Sequence, residues 1–482
     1  MVVPLGHSCR LYFDNVAGCK KHDLPVVHQI RPRSGHGKKV GVSGMSSELY
    51  PLLMFAALFV LLAMGVPIAF SLGAVAVVFS YFLWGPGALN ILVSAAWGTM
   101  NNFVIIAVPL FIFMAYILQK TNVVEDLYSA FYKWSGGLRG GLAIATVIVG
   151  AFLGAVSGVV AAGVIGLGLI GLPQMLKHGY DRKMSLGTIM ASGTLGQLIP
   201  PSTNMVLYGA VTGVSIGGLF AGGITAGIFL AILYIGYVLI RGLLNPSMCP
   251  ALPPDERATR REKISALGNV FFPSVLVIVV LGTILTGMAS PTEAAGFGAA
   301  GALLIGFLKK RLSWDVVYST CYETLSITAM VGWMMICATA FGSVFSGVGG
   351  NRLIAQMAMN MPGGPTAVLA VAAIFFFILG MFLEPGAIIF FAVPIVAPIL
   401  TRLGYDPLWV GLAFNVLLQC GYLSPPFGFS LFYLKGVTPP DVDLTEIYRS
   451  SLPFLAIQGV CVVAIFVFPQ IVLWLPRVVL GY

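Results

Sequence analysis

Long apolar runs, cut by Gly, Pro and short basic loops, dominate this chain. Continuous apolar stretches lie at 49–64, 67–83, 103–119, 219–240, 266–286, 293–308, 324–344 and 452–475. A helix needs roughly 20 apolar residues to cross a bilayer, so most of these read as spans, the first two being short. Two longer apolar stretches, 141–175 and 366–400, are interrupted midway, by Val156-Ser157-Gly158 and by Glu384-Pro385-Gly386. Non-helical backbone at that depth has to face protein or a water-filled cavity. Both stretches therefore predict re-entrant hairpins, and the expected fold class is an all-α polytopic membrane protein.

The pattern also repeats. Gly179-Tyr180-Asp181 returns 225 residues later as Gly404-Tyr405-Asp406, and the pair Pro200-Pro201 returns as Pro425-Pro426. Pro173, Gly196 and Tyr208 match Pro398, Gly421 and Tyr433 at the same offset. Segments 49–64, 103–119 and 219–240 map onto 274–289, 328–344 and 444–465. Each half then holds five crossings, one of them broken by the Pro pair, and one interrupted stretch read as a hairpin. An odd number of crossings makes the second repeat inverted relative to the first, an arrangement typical of secondary transporters. The expected organisation is a first repeat at 45–241, a cytoplasmic linker at 242–265 and a second repeat at 266–482.

Charge tests the inversion. With the linker placed in the cytoplasm, sixteen Lys and Arg after residue 44 fall in inside loops, and only Arg352, Arg402 and Arg477 fall outside. That asymmetry is the positive-inside signal. The formal charge of +9 is thus a topology signal rather than a nucleic-acid footprint. With 58% hydrophobic and 9% charged residues, and a mean hydropathy of +0.95, the bilayer is the medium the chain is built for. Residues 1–44 do not fit: they carry seven Lys/Arg against Asp14 and Asp23, yet the threading puts them outside. They read as an N-terminal extension ahead of a true start at Met45. Cys19, His22 and His28 in this segment match no zinc spacing well. The seven Cys form no CxxC pair and imply no disulfide framework.

Candidate chemistry gathers at the interruptions. Tandem Pro removes two N–H donors and clashes with the preceding turn, so the helix breaks at Pro200-Pro201. A break frees carbonyls for a sodium ion and exposes a half-helix N-terminus to a carboxylate. Ser192, Gly193, Thr194, Ser202 and Thr203 surround the first break; Asn415, Ser424, Pro425, Pro426 and Gly428 surround the second. Ser192, Thr194, Ser202 and Ser424 are the candidate sodium hydroxyls. A simple Pro kink would explain one such segment; two in repeat register favour a site. At the tips, Ser157 and Gly158 suit close approach to a ligand or just a tight turn. Glu384 suits an ion or proton site, or a cap for the helix starting at Pro385. Glu293 after Pro291 reads as a helix start. No Walker A motif is present, and His178, the single His beyond residue 44, has no catalytic partner in sequence.

At these residues the chain resembles the large membrane subunit (the M, or DctM-type, subunit) of tripartite ATP-independent periplasmic (TRAP) transporters. The resemblance runs from about Met45 to the C-terminus. It is carried by GTLGQLIPPSTNMVLYG at 193–209, SIGGLFAGGITAGI at 215–228, GMASPTEAAGFGA at 287–299, and LGYDPLWVG with LSPPFGFSLFYLKGV at 403–411 and 423–437. It implies an elevator-type sodium symporter in a bacterial inner membrane, with no cofactor beyond the coupling sodium ions. The partners implied are a small four-helix (Q type) membrane subunit and a periplasmic substrate-binding protein. The substrate implied is a carboxylate. Ser157 and Gly158 match the first hairpin tip, Ser192 to Thr194 and Pro200 to Thr203 the first broken helix, and Ser424 to Gly428 the second. Val159-Val160 departs from the family, where Ser or Thr often follows Ser-Gly. Ser-Gly-Val-Val resembles the branch associated with 2-oxo acids and other monocarboxylates, dicarboxylates being the other common class. A stand-alone organic-anion or ion carrier is the alternative transporter. A membrane-embedded enzyme would need clustered ionisable groups, and Glu293, Glu323 and Glu384 fall far apart in the span pattern.

Overall fold

The computed structural model describes residues 49–158 and 160–481, with Ser157 described in its backbone only. The expected extension at 1–44, its start at Met45 and its Cys and His residues lie outside the described residues. Everything described belongs to one compact unit. Among the described residues the secondary structure is helix and 3-10 turn throughout, without strands. Among the described residues, eight helices are long and apolar enough to cross a membrane. A further pair, Pro385–Phe391 and Val393–Arg402, is bent by 58° at its break.

The 225-residue register of the sequence is a register of helix starts. The second arm of the first hairpin begins at Val160, and its counterpart begins at Pro385. The first broken helix begins at Arg182, and the second at Pro407. The repeated Gly-Tyr-Asp explains why. Gly179 and Gly404 adopt φ of 74° and 94°, the left-handed conformation that ends a helix at low cost for glycine. Tyr180 N–H and Tyr405 N–H then reach back to the Met175 and Leu400 carbonyls. The Asp carboxylates cap the next helix: Asp181 Oδ1 accepts from Met184 N–H at 2.9 Å, and Asp406 Oδ1 from Leu408 N–H at 2.8 Å.

Close glycine contacts seat the hairpins on the broken helices in both halves. A Cβ on Gly154 would lie 2.5 Å from Gly196 Cα, and one on Gly380 would lie 3.3 Å from Gly421 Cα. Gly196 and Gly421 are a repeat pair. On the other arm, a Cβ on Gly163 would sit 2.8 Å from Gly193 O.

Three segments differ from the sequence expectation. The run 452–475 is not one span. Helix Leu444–Val467 stops before Pro469, and a separate helix, Gln470–Leu480, packs on Ile216–Leu244. The span expected at 324–344 is part of one 34-residue helix, Trp314–Gly347. Its counterpart in the first half is split into Asn90–Met100 and Ala107–Lys120, because Asn102 Oδ1 takes the Val104 N–H and caps a new start. The linker between helices is 245–259, shorter than the expected 242–265 because both flanking helices run further.

That linker is not loose. Cys249 O accepts from Gly140 N–H, Met248 O from Asp181 N–H, and Gly136 O accepts from Leu252 N–H, each at 2.9 Å. Cys249 is fully buried, and burial, helped by the nearby Asp181 charge, pushes its thiol up to about 11. His178 Nε2 meets Glu256 Oε2 at 2.7 Å. Glu293 has the structural role read from sequence: it completes a capping box with Ser290.

Candidate functional site

The first hairpin tip touches the first break. Gly158 ends the helix Gly141–Ser157 with φ 57°, and a Cβ on it would come within 2.6 Å of Pro201 O and 3.3 Å of Thr203 N. Gly158, Pro201, Ser202 and Thr203 are thus brought together. The helix Arg182–Thr194 passes through a 3-10 turn at Leu195–Gln197 before the chain breaks at Pro200-Pro201 and restarts at Thr203. Both Pro pairs are joined by cis peptides.

The candidate hydroxyls are spent locally as donors. Ser192 donates to Thr188 O at 2.6 Å, Thr194 to Ala191 O at 2.8 Å, Ser202 to Gln197 O at 2.7 Å and Ser424 to Cys420 O at 2.8 Å. Each oxygen keeps lone-pair capacity, and Thr203 Oγ1 has no partner at all. No hydrogen bond joins Ser424 to the hydroxyls of the first break.

The two breaks differ in exposure. Pro200 and Pro201 are buried, whereas Pro426 and Phe427 are exposed. Pro426 O accepts from Tyr448 Oη–H at 2.8 Å. Gly428 is required by crowding, since a Cβ there would lie 2.8 Å from Ser424 O.

The second tip also leans on the first broken helix: helix Pro385–Phe391 packs on Thr203–Thr212, with Gly386 against Leu207. Glu384 occupies the N-cap position of that helix without making a side-chain cap hydrogen bond. It lies close enough to the hydroxyls of Tyr422 and Tyr433 to interact with them electrostatically, and Asn204, at the start of Thr203–Thr212, lies beside Tyr422. Among the described residues, no Lys, Arg or His forms an ion pair with Glu384 or with the hydroxyls at either break.

Sequence reasoning named Thr194 and Asn415 but missed Gln197 and Gln419, the side chains that join the halves through them. Gln419 Nε2 donates to Thr194 Oγ1 at 3.1 Å, and Gln197 Nε2 to the Asn415 carbonyl at 3.4 Å. Thr194 and Gln419 are themselves a 225-residue pair, so the broken helices cross on the repeat axis. The repeat offset was the signal that could have found them.

The fold is that of a helical membrane transporter. The Alcanivorax borkumensis YdaH transporter superposes with a TM-score of 0.59 at 14% identity, covering 87% of this chain and 99% of that one. The Neisseria gonorrhoeae MtrF efflux pump superposes with 0.57 at 14% identity, covering 86% and 94%. The family "Tripartite ATP-independent periplasmic transporter, DctM component" matches residues 55–471, and the chain belongs to that family. Among its relatives are the ectoine/5-hydroxyectoine TRAP transporter large permease protein UehC of Ruegeria pomeroyi, 34% identical over 88% of this chain and 97% of the relative. The ectoine TRAP transporter large permease protein TeaC of Halomonas elongata is 30% identical over 88% and 98%. The C4-dicarboxylate TRAP transporter large permease protein DctM of Vibrio cholerae is 29% identical over 89% and 98%. The chain is therefore a multi-pass membrane protein and a TRAP large permease.

Proposed function

We propose that this permease imports a carboxylate-bearing solute together with sodium across a bacterial inner membrane. The solute comes from a periplasmic binding protein, and a small four-helix membrane subunit braces the scaffold. The moving part is the pair of hairpins with the pair of broken helices, sliding as a body against the remaining spans. One observation carries this reading: both hairpin tips, at Gly158 and at Glu384-Pro385-Gly386, lean on the same broken helix at Pro201–Leu207. A centre made of frayed backbone, hydroxyls and one unpaired carboxylate has no fixed cation to hold an anion. A sodium ion bound there supplies that charge, and the N-terminus of Thr203–Thr212 adds the helix dipole. The names of the relatives cover ectoine and C4-dicarboxylates, which supports a carboxylate-bearing solute without choosing among them.

The test is uptake in vesicles holding the permease, its small subunit and its binding protein, with that protein's own ligand as the solute. Replacing the sodium gradient by potassium should abolish uptake, and Ser424→Ala should raise the sodium concentration for half-maximal rate. Undiminished uptake in potassium would sink the coupling.

A further inference from the structure

Among the described residues, Glu384 has no counter-charge. It stands at the second hairpin tip without a cap hydrogen bond, and no Lys, Arg or His lies close enough to interact with it. A bare carboxylate at membrane depth is costly and marks a place where something positive binds. Its neighbours narrow what that is. Tyr422 and Tyr433 lie within its electrostatic reach. Phe429 packs on both rings, 5.9 Å from Tyr422 at 71° and 6.3 Å from Tyr433 at 34°. Three packed rings alone are ordinary core. Beside an unpaired carboxylate they suit an organic cation, which gains from ring faces and from the ion pair together. A hard metal ion asks for a shell of oxygens instead.

The other end of the same centre has the opposite preference. Asn204 stands beside Tyr422, and the residue before it, Thr203, opens the helix Thr203–Thr212 at the first break. Thr203 is only 9% exposed, yet its hydroxyl has no partner. A free buried hydroxyl at a helix N-terminus suits a carboxylate. We infer that the solute is a zwitterion, of the amino acid, betaine or amidino acid kind. Its carboxylate lies at the Thr203 end beside the coupling sodium, and its cationic group lies against Glu384, Tyr422 and Tyr433. This rests on the carboxylate and sodium reading above and narrows it. A dicarboxylate would bring its second charge against Glu384, a like charge that counts against it. With a zwitterion every charge in the moving body is paired: sodium with the solute carboxylate, the solute cation with Glu384.

The experiment uses the detergent-purified full chain and solutes matched in carbon skeleton: γ-aminobutanoate, butanoate and butanedioate. Glycine, β-alanine and glycine betaine, beside ethanoate and propanoate, extend the series in length and head group. The rise in melting midpoint with solute concentration, in sodium and in potassium, gives each half-saturating concentration. In sodium, at least one zwitterion should bind at least about tenfold more tightly than the acid lacking its cationic group, and butanedioate should bind most weakly. Glu384→Gln keeps the side chain's shape; it should weaken that zwitterion at least about tenfold and leave butanoate within about twofold. Glu384→Asp should recover part of the loss, and midpoints without solute check that both variants fold. A wild type that binds butanoate or butanedioate as tightly as every zwitterion would overturn the inference and leave a carboxylate carrier standing. So would a Glu384→Gln variant that binds the zwitterion as the wild type does, the result for a proton site, or one that weakens every carboxylate equally, the result for a sodium site. The zwitterion preference, found equally in potassium, would bear out Glu384 and overturn the sodium coupling. No rise with any solute in either salt would overturn both.

Discussion

Gly158 shows how one residue can set the spacing of the whole centre. Its backbone is left-handed at φ 57°, a conformation that costs an L-residue roughly 1–2 kcal/mol. Its missing Cβ leaves room for the Pro201 carbonyl at 2.6 Å, closer than any side-chain carbon tolerates. Gly158→Ala should therefore push the first tip off the break without unfolding the apolar body around it. The expected result is normal expression and a monodisperse elution profile with uptake reduced at least about tenfold, the scale on which small misplacements act at a site. Uptake at the wild-type rate would show that the tip does not need this contact. The need for Gly at 158 was legible in the sequence as a small tip residue. The partner was not, because nothing local to Ser157-Gly158 names Pro201. Gln197 and Gln419 were hidden for the opposite reason: amides inside apolar segments read as tolerated polar residues, and only the crossing of the two halves gives them neighbours.

At the scale of elements, the repeated Gly-Tyr-Asp was the most legible piece of the fold. A left-handed Gly followed by an Asp cap is local chemistry, and the hairpin ends and broken-helix starts fall where it puts them. Asp181→Ala and Asp406→Ala should each cost about 1 kcal/mol, the usual size of a lost N-cap. Thermal melts of the two purified variants check this, and equal small losses would mark the turns as equivalent stops. Less legible was the split of one long span at Asn101-Asn102. The counterpart positions are Ser326 and Ile327, where Ser326 donates to Tyr322 O within an unbroken helix. Asn at a frayed end and Ser inside a helix are both common, so composition alone did not separate them. The break between Val467 and Gln470 was missed because the apolar run continues across Pro469, and hydropathy does not register a change of direction.

For the whole molecule, the question is what holds two halves together that share only the linker as covalent connection. Inside, the Thr194–Gln419 crossover does so; at the surface an ion pair repeats the connection. Arg182, the first residue of the first broken helix, pairs with Asp441, just ahead of helix Leu444–Val467 in the second half, and lies 3.9 Å from Glu446 in that helix's first turn. The hydrogen bond from Arg182, more than any other influence, holds the Asp441 carboxyl below its ordinary range. A carboxyl depressed in the folded state adds stability that is present above its unfolded value of about 3.9 and is lost as pH falls through the lower folded value. Asp441→Asn removes that contribution at all pH values. Wild type and variant should therefore differ in melting midpoint at neutral pH and converge as pH drops below about 4. Raising salt at neutral pH should also narrow the gap, because both partners face solvent. A gap that stays constant down to the acid limit would mean that Asp441 acts through packing, and that the crossover on the repeat axis carries the joining of the halves alone.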